Sequence, residues 1–230
     1  MYLDVNGLIT QSDGDGGDKL QREGFWYEGL TFNPGYLPIP GMAPYIVVLR
    51  YLTDANGNLQ RDEILYTAIL DPNDVSRDQL TPNVIACGLY GYLGYVKRIF
   101  SNIISNYSRY PNNDIAFLTD YSRIFRALGL WYLYPIIFLF DIWLLLSTIF
   151  TTVVTHFDPD NKYVGNDLNL IADLAQTKQV YPTPLSFIAR KFFKWFRFGG
   201  PMYGMKVYFN PNTGANPEFI ALWGPVVEKF

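Results

Sequence analysis

The sequence predicts a mostly α protein built as an array of helix hairpins. Three observations carry this. Helix-start signals stand ahead of apolar runs, as in Thr183-Pro184 and Asn216-Pro217-Glu218. One apolar run, "PIIFLFDIWLLLSTIFTTVVTHF", is long enough for six turns of helix. In "NDLNLIADLAQTK", Leu168, Ile171, Leu174 and Ala175 recur at the amphipathic period. A curved or toroidal array is one arrangement that such hairpins adopt.

The elements follow in order. Residues 20–30 read as a helix with Asp18 as N-cap and Gln21 completing a rough capping box. Prolines and glycines then exclude regular helix over residues 31–45. "DANGN" separates two apolar runs, so a β-hairpin is the first reading near residues 45–67, with a helix pair and tight turn as its rival. Ser76 and Gln79 form a fuller capping box, and Pro82 limits where that helix starts. Gly88, Gly91 and Gly94 recur every third residue, which predicts a thin helical face. "TDYSRIFRALG" is a short helix capped by Thr119 or Asp120 and closed by Gly129. Pro225 is expected to interrupt the last helix. The expectation is a single domain, residues 1–230, with residues 1–45 as an extended N-terminal segment and 46–230 as the helical body.

Composition narrows the function. Only 17% of the 230 residues are charged while 49% are hydrophobic, against about 25% charged in ordinary soluble domains. Such a chain has extensive burial, a large partner interface, or a membrane. A net charge of −3 argues against a nucleic-acid partner. One cysteine, Cys87, and one histidine, His156, exclude an internal disulfide and a Cys/His zinc cluster. "MYLDVNGLIT" has no signal-peptide core, so cytoplasmic synthesis is expected.

Residues 136–154 have the length of a membrane span and a single charge, Asp141. However, Tyr134, Asp141, Thr148 and Thr152 share one stripe, which predicts a helix buried in protein with Asp141 needing a partner.

Chemistry-bearing patterns are weak. In the acidic loop, Asp13 at position 1 of an EF-hand frame would put Gly17 at 5 and Gly24 at 12, and the match fails. The frame at 52–63 starts on Leu52, which cannot ligate. No phosphate-loop, dinucleotide or nucleophile-elbow motif is present. No metal and no cofactor are expected. Weak catalytic candidates are the carboxylates Asp18, Glu23, Asp78 and Asp141, with Trp26, Tyr27 or Trp131 as sugar platforms in a glycan-active toroid. The basic amphipathic stretch "FIARKFFKWFRF" supplies interface candidates: Arg190, Lys191, Lys194, Trp195 and Arg197.

The ordered segments "GDGGDKLQREG", "SRDQLTP", "FLFDIWLLL", "YPTPLSFIARK" and "NPEFIALWGPVVEKF" together resemble uncharacterised proteins of tailed bacteriophages. The resemblance implies a virion-associated protein of helical architecture, and it transfers no catalytic residue. The leading expectation is therefore a structural or accessory particle protein, tail- or capsid-associated and non-catalytic. It would be made in the host cytoplasm and packed against other virion proteins or copies of itself. A glycan-active toroid and a membrane-interacting protein are the alternatives.

Overall fold

The computed structural model describes residues 2–10, 19–53, 59, 77–105, 114–157, 167–195 and 217–230. The described residues are mostly helical. They belong to two compact units, residues 1–113 and 114–230, each described by itself.

Unit 1 opens with a small antiparallel hairpin, β1 (Tyr2–Leu3) with β2 (Ile9–Thr10). Asp4 shapes its turn by accepting the N–H groups of Asn6 and Leu8. Helix α1 (Lys19–Phe32) follows and packs mainly on α3 (Arg77–Leu89). Gly24 permits this contact: a Cβ there would lie 2.7 Å from Asn83 Nδ2. In return, Asn83 Nδ2 donates to the Leu20 carbonyl at 2.8 Å.

Tyr45–Tyr51 is a helix, α2, and not the first arm of a hairpin. Tyr45, Val48 and Leu49 are buried along with the following Leu52, a helical i, i+3, i+4, i+7 set. Only an isolated antiparallel bridge joins Thr53 to Leu59. The Asn56-Gly57 turn and residues 60–67 lie outside the described residues.

Helix α3 runs through Pro82. The glycine series does not form one helical face, because Gly91 adopts φ +75° between α3 and α4 (Leu93–Ser105). The chain therefore turns there. Tyr27, Tyr45, Tyr90 and Tyr92 gather their rings into one cluster, with Tyr27 stacked on Tyr45 at 4.7 Å.

Unit 2 holds α5 (Asp114–Ala127), a short 3-10 turn (Trp131–Leu133), α6 (Tyr134–Phe157), α7 (Asp167–Gln179), α8 (Pro184–Lys194) and α9 (Pro217–Glu228). Helix α5 starts earlier than Thr119, and α9 continues through Pro225. Helix α8 begins as the sequence predicts. Thr183 accepts the Ser186 N–H, Ser186 reciprocates, and Pro184 sits in the first turn. Helix α6 packs on α5, α7 and α8.

Candidate functional site

Two buried polar clusters and one apolar surface compete as the functional site. In unit 1, Lys19, Arg22, Glu23 and Glu28 are all buried on α1. A helix buried all round is normally apolar, so these charges need internal partners. Lys19 pairs with Asp4 at 3.0 Å. Burial pushes Asp4 up, but hydrogen bonds from Leu8, Lys19 and Asn6 outweigh it, and its pKa ends below the ordinary value. Glu23 Oε1 accepts the Ile9 N–H, joining α1 to β2. Among the described residues its Oε2 has no hydrogen-bond partner. Burial lifts the Glu23 carboxyl to about 8 against the pull of Ile9 and Lys19. The group is therefore a neutral acid near pH 7.

Trp26 and Tyr27 are buried and cannot serve as sugar platforms. Trp131 is exposed. Cys87 is a core thiol, 3.6 Å from the Tyr45 hydroxyl and pushed up to about 12 by burial, so it is no thiolate nucleophile. Asp18 and Arg197 lie outside the described residues, as do the side chains of Asp78 and His156.

In unit 2, Asp141 has the partner its burial demands. Arg126 Nη2 donates to both carboxylate oxygens, at 2.8 and 2.7 Å, and the Thr183 hydroxyl donates to Oδ2. Arg126 also reaches Ser122 and the Val180 carbonyl. A second fork joins Arg123 to Asp173. Between the two lies a cavity of about 10 Å³, lined by Arg123, Arg126, Asp141, Asp173 and Gln176 among others. That volume suits one water and no substrate. The cluster therefore clamps α5, α6, α7 and the start of α8 together. The polar stripe is also satisfied elsewhere: Tyr134 donates to the Pro182 carbonyl, and Thr148 and Thr152 each bond back to the previous turn.

Glu23 and Asp141, the two described candidates, thus belong to different units, and each is held by its own unit's contacts. Among the described residues no group of His, Cys, Asp and Glu could hold a metal ion.

The apolar surface is the more distinctive feature. Helix α6 buries one face, formed by Ile137, Asp141, Leu144, Thr148 and Thr152. The expectation of a helix buried in protein holds for that face alone. On the opposite side Tyr132, Ile136, Leu139, Trp143, Leu146, Phe150 and Val153 are exposed, in steps of four and three. Leu139 is 57% exposed and Phe150 66%. Within Trp131–Val153 the most apolar 18-residue window has a mean hydropathy of 2.1, and only 28% of it is buried. A core helix of a soluble protein would be mostly buried. The sequence reading missed this face because the same apolar residues serve equally as core, and periodicity alone does not say which side is covered.

Helix α8 adds a second surface. Phe187, Ile188 and Trp195 are exposed beside Lys191, bordering a shallow groove of about 580 Å³. Lys191 lies over the Phe187 ring at 5.5 Å, and Lys194 reaches the Glu228 carbonyl. Arg190 does not belong to this surface. It is buried and donates to Thr177 Oγ1 at 2.8 Å. Lys178 and Lys229 stand close by, with the Lys178 ammonium on the Lys229 carbonyl. Burial lowers the Lys178 pKa, and the positive charges of Arg190, Lys229, Lys191 and Lys194 lower it further.

Comparison with family models, curated proteins and solved structures returns no match.

Proposed function

We propose that the protein is a structural or accessory component of a bacteriophage particle, tail- or capsid-associated, that acts by docking and not by catalysis. The observation that carries this reading is the uncharged, almost wholly apolar outer face of α6. A contiguous exposed apolar surface of that size marks an interaction site. The apolar side chains that step along the face are about half exposed, so roughly 800 Å² is available for contact, near the usual contribution of one partner to a stable interface.

The fate of the carboxylates supports the same reading. Glycoside hydrolysis needs two carboxyl groups about 5–9.5 Å apart beside a sugar-sized cleft. Of the described candidates, Asp141 is instead engaged in clamping helices and Glu23 in tying α1 to β2. The bacteriophage assignment rests on the resemblance of the ordered sequence segments.

The test is quantitative mass spectrometry of purified particles. A fixed copy number per particle is expected. Recovery only in the soluble fraction of infected cells would overturn the reading.

A further inference from the structure

We infer that the outer face of α6, together with the lysine cluster around its neighbour α8, seats unit 2 on an anionic lipid bilayer, with α6 lying in the plane of the interface. The inference rests on the docking reading of this face but not on the particle assignment.

Three observations select lipid over a second copy of the chain. First, the face is wider than a two-helix seam. The stepping residues resemble coiled-coil core positions, but the positions that flank them carry Pro135, Phe140, Ile142, Ser147 and Ile149, none of them charged. Soluble coiled coils place Glu and Lys there to choose a partner. A lipid surface asks only for breadth and an absence of charge, and Asp141, the sole charge between residues 131 and 153, points inward onto Arg126. Second, aromatic side chains stand at the start of the face, where Trp131 and Tyr132 are exposed. Amphipathic rings of this kind favour the headgroup level. Third, α8 packs against α6 and has the composition of an interfacial helix, with exposed Phe187, Ile188 and Trp195 beside Lys191. Lys191, Lys194 and Lys229 all lie within electrostatic reach of Lys178, whose ammonium sits on the Lys229 carbonyl. A patch of four neighbouring lysines is the kind of basic cluster that anionic headgroups neutralise.

Lying in the interface fits better than crossing the bilayer. Helix α6 is about 36 Å long, enough to span. Its inner face, however, is packed with α5, α7 and α8, and these carry the buried Arg123–Asp173 pair and Lys178, Lys191 and Lys194. A spanning α6 would draw those charges into hydrocarbon.

The experiment is co-sedimentation of the full chain with sucrose-loaded vesicles, of phosphatidylcholine alone and of phosphatidylcholine mixed with phosphatidylserine. Binding to the mixed vesicles is expected, weaker at high salt and weaker without phosphatidylserine. Leu139→Asp with Leu146→Asp alters positions at least half exposed, so the fold should persist, as circular dichroism will check. Lys191→Glu with Lys229→Glu alters two exposed lysines. Each pair is expected to reduce partitioning on the order of tenfold. Failure to sediment with either vesicle overturns the inference. If the chain is then a dimer dissociated by the aspartate pair, the face joins two copies and the docking reading survives. If it is a monomer, the lipid inference falls alone, and the docking reading is decided by the copy number in purified particles.

Discussion

Glu23 gives a sharp test of how unit 1 is held together. Its carboxyl is buried on α1, accepts the Ile9 N–H, and titrates at about 8 where a free glutamate titrates at 4.5. Loss of hydration is the main cause. Between pH 4.5 and 8 the folded chain holds a proton at Glu23 that the unfolded chain has released. Stability from this group is therefore full below about pH 4.5 and declines as pH rises to about 8. The slope is about 1.4 kcal/mol per pH unit, which makes the full window worth roughly 5 kcal/mol. Glu23→Gln keeps the shape and the acceptor for Ile9 but cannot ionise. In urea unfolding, the variant should match the parent within about 1 kcal/mol near pH 5 and exceed it by roughly 3 kcal/mol near pH 7. A difference that stays flat over that range, or a variant weaker at every pH, would refute the reasoning and mean that Lys19 and Arg22 hold Glu23 ionised.

The remaining predictions concern packing. Asp141→Ala leaves Arg126 buried without its carboxylate and should cost about 3–5 kcal/mol by urea unfolding, whereas Arg126→Met combined with Asp141→Leu should recover most of that loss. Gly24→Ala places a methyl 3.0 Å from the Asn83 backbone nitrogen and 2.7 Å from its side-chain nitrogen. It should part α1 from α3 and lower stability by about 1–3 kcal/mol, read as faster hydrogen exchange in both helices.

Much of the fold was legible because it depends on local chemistry. Thr183-Pro184 marks the start of α8 by hydrogen-bond geometry that three neighbouring residues supply, and the polar stripe on α6 correctly demanded a partner for Asp141. The failures share a different cause. "YIVVLRY" is rich in β-branched and aromatic residues, which favours strand locally. Tertiary burial of Tyr45, Val48 and Leu49 decides for helix. Glu23 reads as a candidate catalytic carboxylate, yet it is buried on α1. No local pattern announces this, because it depends on Asp4 and Ile9 arriving from a hairpin ten or more residues away. Arg190 similarly reads as one face of a basic helix with Lys194 and Arg197, flanked by Lys191. Its true role depends on Thr177 in another helix. For the docking surface, the sequence supplied the apolar residues but not the direction they face.

The tyrosine cluster sets an upper pH boundary for unit 1. Burial raises the phenol pKa of Tyr27, Tyr45 and Tyr90 above the ordinary value. In the unfolded chain those hydroxyls release protons near pH 10. Alkali therefore favours unfolding at three phenols at once. Tyr45 adds to this, because its hydroxyl donates to Asn83 Oδ1, and a phenolate has no hydrogen to donate. The joint that ties α2 to α3 is in this sense a base-sensitive latch, secured by a proton.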